Sequence, residues 1–221
     1  MTESVIRPRR LTPKGQAMRQ KIIEAAAGLI YERGVAGTNN ELVRKAAGIS
    51  GSQLSHYFPD KESLVRAVIA WRADTMIGLH RDPPLGELDS IAALREWADS
   101  YVRNEAVCEG GCSFGSLAAE VAKSDMDVRD EIIAGFGRWR ELFERGLTAM
   151  RDRGELHRTV DPEQLAYALM AAFQGGMLLT QAAHDFTPLR TALSTAIDYV
   201  ASFAAPPRRQ DAMPTAGGHR P

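Results

Sequence analysis

The residues best suited to do chemistry lie between Ser50 and Lys61. Ser50-Gly51-Ser52-Gln53 places two hydroxyls and one carboxamide within a single turn, and Ser55, His56 and Tyr57 follow directly. A glutamine in the first turn of a helix can bond an adenine edge through two atoms, whereas His56, Tyr57 and Lys61 carry donors suited to phosphate oxygens. Thr38 and Arg44, a little upstream, add a hydroxyl and a guanidinium of similar use. This is the chemistry of nucleic-acid contact.

Two other groups have reactive side chains. Gly111-Cys112-Ser113-Phe114-Gly115 fits G-x-S-x-G, the nucleophile elbow of serine hydrolases, which requires a strand before the serine and a helix after it. The segment before it, Ala92 to Val107, has a helical pattern, so Gly110-Gly111 is expected to break a helix and Ser113 to cap the next. Cys108 and Cys112 flank that break. Too few for a disulfide scaffold or a closed zinc site, they are expected to be small, partly buried residues, with a redox or electrophile switch as the alternative. No metal or cofactor is expected.

The elements that must position the Ser50–Lys61 group can be read from capping signals. Thr38 with Glu41, and Ser50 with Gln53, each have the form of a capping box, so two helix starts stand twelve residues apart. Leu42, Val43, Ala46 and Ala47 supply the apolar face of the first helix, and Gly48 follows where a glycine can take positive φ. Leu54 and Phe58 turn inward on the second. The arrangement predicts a helix-turn-helix whose second helix lies in a DNA groove.

At this point the chain resembles a known family. The run A-A-G-I-S-x-x-x-L-x-H-Y-F-P-D-K-E-S-L, preceded by A-x-x-L-I-Y-E-R-G-V-A-G-T, is similar to the DNA-binding domain of the tetracycline-repressor (TetR) family over about residues 15–76. Ser55 stands where that family usually has an aromatic, Ser52 where glycine is common, Arg44 where a small residue is usual and Asn40 where an apolar one is. The resemblance implies an all-α protein: a three-helix DNA-binding domain followed by a larger helical domain that binds a small-molecule effector and forms the homodimer.

Charge fits that division. Residues 1–70 hold eleven Lys and Arg against six Asp and Glu, a balance of +5, while the remainder carries −6 and the whole chain −1. A basic front suits a polyanion partner. The expected domains are a flexible basic arm at 1–12 with Arg7, Arg9 and Arg10, a DNA-binding domain at 13–76, an effector and dimerisation domain at 77–204, and a disordered tail at 205–221. Helix 1 is expected over about 13–33, ended by Gly34. Helix 4 opens at Asp60 and stops before Asp82-Pro83-Pro84. Five more helices follow near 88–108, 113–124, 127–153, 161–184 and 187–203, about nine in all.

Within the second domain, Phe114, Leu117, Val121, Phe136, Trp139, Phe143, Met170, Phe173 and Met177 are candidates to line an effector cavity, with a dry core as the equal alternative, and Arg140 is either its polar anchor or a surface charge. Leu165, Leu169, Ala172, Gly176, Leu179 and Ala183 on one helix, and Leu193, Ile197 and Val200 on the last, recur at three- and four-residue spacing, which suits the core of one subunit as well; the resemblance, and the two-fold symmetry of a palindromic site, imply that they form the dimer interface. No run approaches the ~18 apolar residues of a membrane span, and the basic N-terminus lacks a signal peptide's apolar stretch, so a cytoplasmic protein is expected. The reading is a homodimeric repressor released from a palindromic operator by a small molecule. The alternative is a small-molecule-binding protein or an enzyme, such as a hydrolase, with a helical scaffold in front.

Overall fold

The computed structural model describes residues 11–79 and 86–205; the arm at 1–10, the Pro-Pro segment and the tail beyond Ala205 lie outside it. Ten helices account for the described residues, and the only strand-like pairing among them is an isolated bridge between Leu156 and Ala204. The fold is all-α.

α1 (Pro13–Gly37) begins at an N-cap, Thr12, whose hydroxyl accepts from Gly15 N, with proline at N1, where its missing N–H costs nothing. Gly34 interrupts it at φ 75°, ψ 168°, a conformation closed to residues with a Cβ. α2 (Asn40–Ala47) ends at Gly48 in the left-handed region, φ 64°. α3 (Gly51–Tyr57) opens with a complete capping box: Ser50 Oγ accepts from Gln53 N, and the Gln53 amide oxygen accepts from Ser50 N. Asp60 caps α4 (Lys61–Gly78) by accepting from Ser63 N at 2.7 Å.

One of the two expected boxes is absent. Asn39, not Thr38, caps α2, its side-chain oxygen accepting from Leu42 N. Thr38 is instead buried, and its hydroxyl donates to the Gly34 carbonyl. A carbonyl left open by the kink therefore draws Thr38 inward, and the next polar residue takes over the cap.

The second domain comprises α5 (Ile91–Val102), α6 (Glu105–Gly110), α7 (Ser113–Val121), α8 (Arg129–Asp152), α9 (Pro162–Ala183) and α10 (Thr187–Ala201). The expected single helix over 88–108 is divided at Arg103 and Asn104 into α5 and α6. Asp161 caps α9 before an N1 proline as its residue type demands, accepting from Glu163 N and Gln164 N. Thr187 does not cap α10. It is the first helical residue, and Asp185 Oδ1 accepts both its N–H and its hydroxyl.

Two apolar cores result, and α4 runs through both. Leu64, Val65, Val68, Ile69 and Ala73 pack with Ile22, Ile23, Ala26 and Ile30 of α1 in the first core, while Ile77 at the far end joins the second. Each such valine, leucine or isoleucine, fully buried, contributes about 1.5–3 kcal/mol. Phe114, Leu117 and Val121 of α7 also belong to the first core, so α7 is packed onto α1 and α4. The second core centres on edge-to-face aromatic contacts: Trp97 to Phe143 at 4.9 Å, Trp139 to Phe173 at 5.1 Å and Tyr101 to Phe173 at 4.8 Å.

Candidate nucleic-acid interface

The α2–turn–α3 unit presents its polar groups on one side because Leu54 and Phe58 are buried on the other. Ser50, Ser52, Gln53, Ser55 and His56 are exposed, and Gly51 is half-buried. Tyr57 is half-buried at the edge of the first core, with its ring edge-to-face with His56 at 5.0 Å. Lys61 opens α4 immediately after the cap, where the helix N-terminus also favours an anion. Arg44, exposed on α2, extends its guanidinium across the start of α3, to 3.4 Å from where a Cβ on Gly51 would lie. These groups converge on one surface. Thr38 does not join them, being 3% exposed.

Gln53 has two tasks that compete. In a bidentate bond to adenine its amide oxygen must accept and its nitrogen donate, yet the oxygen already accepts from Ser50 N at 2.9 Å. With the cap intact, only the nitrogen is available to a base edge. Ser50 Oγ and Ser52 Oγ are 3.0 Å apart, so the two hydroxyls share one hydrogen bond beside it. Of the basic arm, Arg7, Arg9 and Arg10 lie outside the described residues. Arg19 of α1 lies over the Phe58 ring at 5.1 Å, which places its charge behind α3.

The residues expected to line an effector cavity separate into the two cores. Trp139, Phe143, Met170, Phe173 and Met177 are in the second core, and Phe114, Leu117 and Val121 in the first, with Phe136 at 4.8 Å from Phe114 between them. Most of them fill space. Leu117 borders one cavity and Met177 another, and the two share Ser116 and Gln181. The Arg140 guanidinium pairs with Glu144 at 2.8 Å and Glu163 at 2.7 Å and lies over the Tyr167 ring. The indole N–H groups of Trp97 and Trp139 are buried without a hydrogen-bond partner.

A cleft of about 230 Å³ lies where the two domains meet, walled by α1, α4, α6, α7 and α9. Periodicity gave no signal for it, since its residues come from five helices. Arg72 is the arginine that borders it, half-buried, donating to the Ala27 carbonyl at 3.1 Å and lying over the rings of Tyr31 and Trp71. Desolvation lowers its pKa below the ordinary arginine range. Across the cleft, Glu120 accepts the backbone N–H of Ala36 at 3.0 Å. A second cavity, of about 300 Å³, lies between α7 and α9.

Ser113 stands at the first position of α7, preceded by α6 and a two-residue break, so the strand that a nucleophile elbow needs is absent there. The N-cap is Cys112, whose sulfur accepts from Gly115 N at 3.3 Å and Gln174 Nε2 at 3.5 Å. The side chain of Cys108 lies outside the described residues. Among those residues no three His, Cys, Asp or Glu side chains cluster to hold a metal ion, and no helix is long and apolar enough to cross a membrane.

The stripes expected at a dimer interface are largely internal. Leu165, Leu169, Gly176, Leu193, Ile197 and Val200 are buried within the one chain, where α9 packs on α10 and α8. Ala172 is half-buried, and Leu179 and Ala183 are exposed. The chain hides this stripe itself because Gly176 permits close approach of the two helices. The apolar surface left outside is a neighbouring one: Tyr167, Leu178 and Leu179 on α9 and Tyr199 on α10 are each more than half exposed.

A capped helix-turn-helix carried by a larger all-α domain defines a class of DNA-binding transcriptional regulator. Two family models match the chain, "Bacterial regulatory proteins, tetR family" over residues 22–68 and "Tetracyclin repressor-like, C-terminal domain" over residues 88–196. The chain belongs to the TetR family of regulators. Among relatives, it is 24% identical over 185 residues to the HTH-type transcriptional repressor DhaR of Mycobacterium sp. (strain GP1), covering 78% of this chain and 86% of that one. It is 36% identical over 76 residues to the HTH-type transcriptional repressor KstR2 of Rhodococcus jostii, covering 34% and 37%. A TetR transcriptional regulator from Chloroflexus aurantiacus shares the fold, with a TM-score of 0.74 at 24% identity over 88% of this chain and 99% of that one.

Proposed function

We propose that the protein is a cytoplasmic homodimeric repressor that holds a palindromic operator and leaves it when a small molecule occupies its helical domain. The observation that carries this reading is the exposed polar face of α3, Ser52, Gln53, Ser55 and His56, held on a cap and two buried side chains. A seven-residue helix whose polar side is exposed among the described residues suits insertion into a major groove. The relatives named as repressors favour repression over activation.

Two-fold symmetry is the economical way to read a palindrome, and the exposed apolar strip on α9 and α10 supplies a surface for it. Tyr167, Ala171, Gly175, Leu178 and Ala182 follow one another at spacings of three and four, with small residues between the large ones, so a second copy can approach closely. A contiguous apolar strip of this kind is unusual on a monomer.

The experiment is retention of genomic DNA by the full chain, followed by sequencing of the retained fragments and sedimentation of the free protein. The expected result is a single inverted repeat, with half-sites about one helical turn apart, bound by a dimer. Retention without sequence preference, or a monomer at micromolar concentration, overturns the reading.

A further inference from the structure

We infer that the cleft at the domain junction is a binding site for a small monocarboxylate, and that its occupancy weakens DNA binding through Glu120. The inference rests on the reading of the chain as a ligand-released DNA-binding regulator and names the place and chemical class of the ligand.

Arg72 is the starting point. It is half-buried on α4, in the middle of the helix that spans both cores, and no carboxylate among the described residues pairs with it; its neighbours are the Ala27 carbonyl and the faces of Tyr31 and Trp71. Other half-buried arginines do have partners of opposite charge, as Arg140 does with Glu144 and Glu163 and Arg66 with Glu62 and Glu131. A desolvated guanidinium without a counter-charge is costly, and its planar fork matches a carboxylate. The cleft it borders is about 230 Å³. Ser113, at the first position of the nine-residue α7, also borders the cleft, so the positive end of that helix faces the same space. Ser116 adds a hydroxyl. Ala27, Ile30, Val68 and Leu117 form an apolar wall suited to a short hydrocarbon or ring.

Glu120 sets both the charge and the consequence. It borders the same cleft, so a ligand with more than one negative charge is disfavoured by repulsion. Its own carboxylate accepts Ala36 N, three residues before the Asn39 cap of α2, and lies against Gly34, where a methyl would come within 2.8 Å of Oε1. A second carboxylate placed on Arg72 repels Glu120 and loosens its hold on the segment that enters the helix-turn-helix. The coupling is reciprocal: DNA binding that needs the Glu120–Ala36 contact must weaken the ligand by the same factor.

The test uses the full chain, butyrate and benzoate as probes, and butyramide and benzamide as their uncharged counterparts. Calorimetry without DNA is expected to show that at least one acid binds, its amide more weakly by about ten-fold or more, and that Arg72→Gln reduces acid binding by a similar factor while Arg72→Lys retains part of it. Should Arg72→Gln fail to fold, Ser116→Trp, at an exposed position on the cleft rim, is expected to block the same binding by filling the space. In a second measurement, on the retained operator fragment, the bound acid is expected to weaken DNA affinity by about five-fold or more, and Glu120→Gln to bind the acid yet lose that effect. Equal binding of acid and amide, or acid binding indifferent to both Arg72→Gln and Ser116→Trp, overturns the site. Acid binding that depends on Arg72 but leaves DNA affinity unchanged overturns the coupling. A chain that retains no DNA even without acid overturns the regulator reading instead, and calorimetry reports on the cleft independently of that.

Discussion

Gly176 on α9 meets Leu189 on α10 so closely that a methyl group on Gly176 would lie 2.9 Å from the Leu189 Cα and 3.0 Å from its Cδ1. Leu189 is fully buried, so the backbone of α10 has no room to retreat without opening the second core. Gly176→Ala is therefore expected to destabilise the fold by about 1–3 kcal/mol, as overpacking does. Denaturant unfolding would show it as a lower midpoint with an unchanged slope. A midpoint equal to that of the wild type would mean that α9 and α10 separate freely.

Leu178 faces outward on the same helix, 66% exposed. Leu178→Glu is expected to leave the unfolding free energy within about 0.5 kcal/mol of the wild type, as for most surface changes, but to convert the proposed dimer to monomer in sedimentation. DNA affinity should fall with it, because two half-sites must be held at fixed spacing. A dimer that survives this substitution lies on another face.

Gln53 caps α3 and, on the proposed reading, also offers its amide to DNA. Gln53→Ala removes both roles and is expected to cost about 1–3 kcal/mol on the operator. Gln53→Glu separates them: the carboxylate still accepts Ser50 N, whereas the donor is lost and a charge is added facing phosphate. Helix content and midpoint should then match the wild type while operator binding falls. Equal losses on operator and random DNA for Gln53→Ala would show that the residue does not read bases.

The Asp60 cap carries a pH dependence. The backbone N–H of Ser63, and then its hydroxyl, hold the Asp60 carboxyl below the ordinary aspartate range. A depressed folded-state pKa stabilises the fold above the unfolded value of roughly 3.9, and that contribution is lost as pH falls through the lower folded value. Asp60→Ala should therefore be less stable than the wild type near neutral pH, with the gap closing as pH drops below about 4. A gap that stays constant between neutral and acid pH would mean that the cap acts without its charge.

The local organisation of the first domain was legible in the residues: Ser50 with Gln53, Gly48, Asp60 and Gly34 all behave as their types and spacing require, since capping and positive φ are settled within a few residues of chain. Thr38 shows the limit of such reasoning. Two polar residues could have capped α2, and a carbonyl exposed by the Gly34 kink decided which one turned inward. In α9 the ambiguity is larger, because the helix is apolar nearly all round and periodicity cannot choose which stripe faces its own chain. Tertiary packing buried Leu165, Leu169 and Gly176 and left Tyr167 and Leu178 outside. The cleft lay beyond sequence reasoning altogether. Arg72 and Glu120 are forty-eight residues apart, on helices with no common pattern, and only the packing of α7 against α1 and α4 brings them to one space. A chain specifies short-range hydrogen bonds through neighbouring residues, whereas which apolar faces meet, and which charges are left without partners between them, depends on how all the helices share one interior.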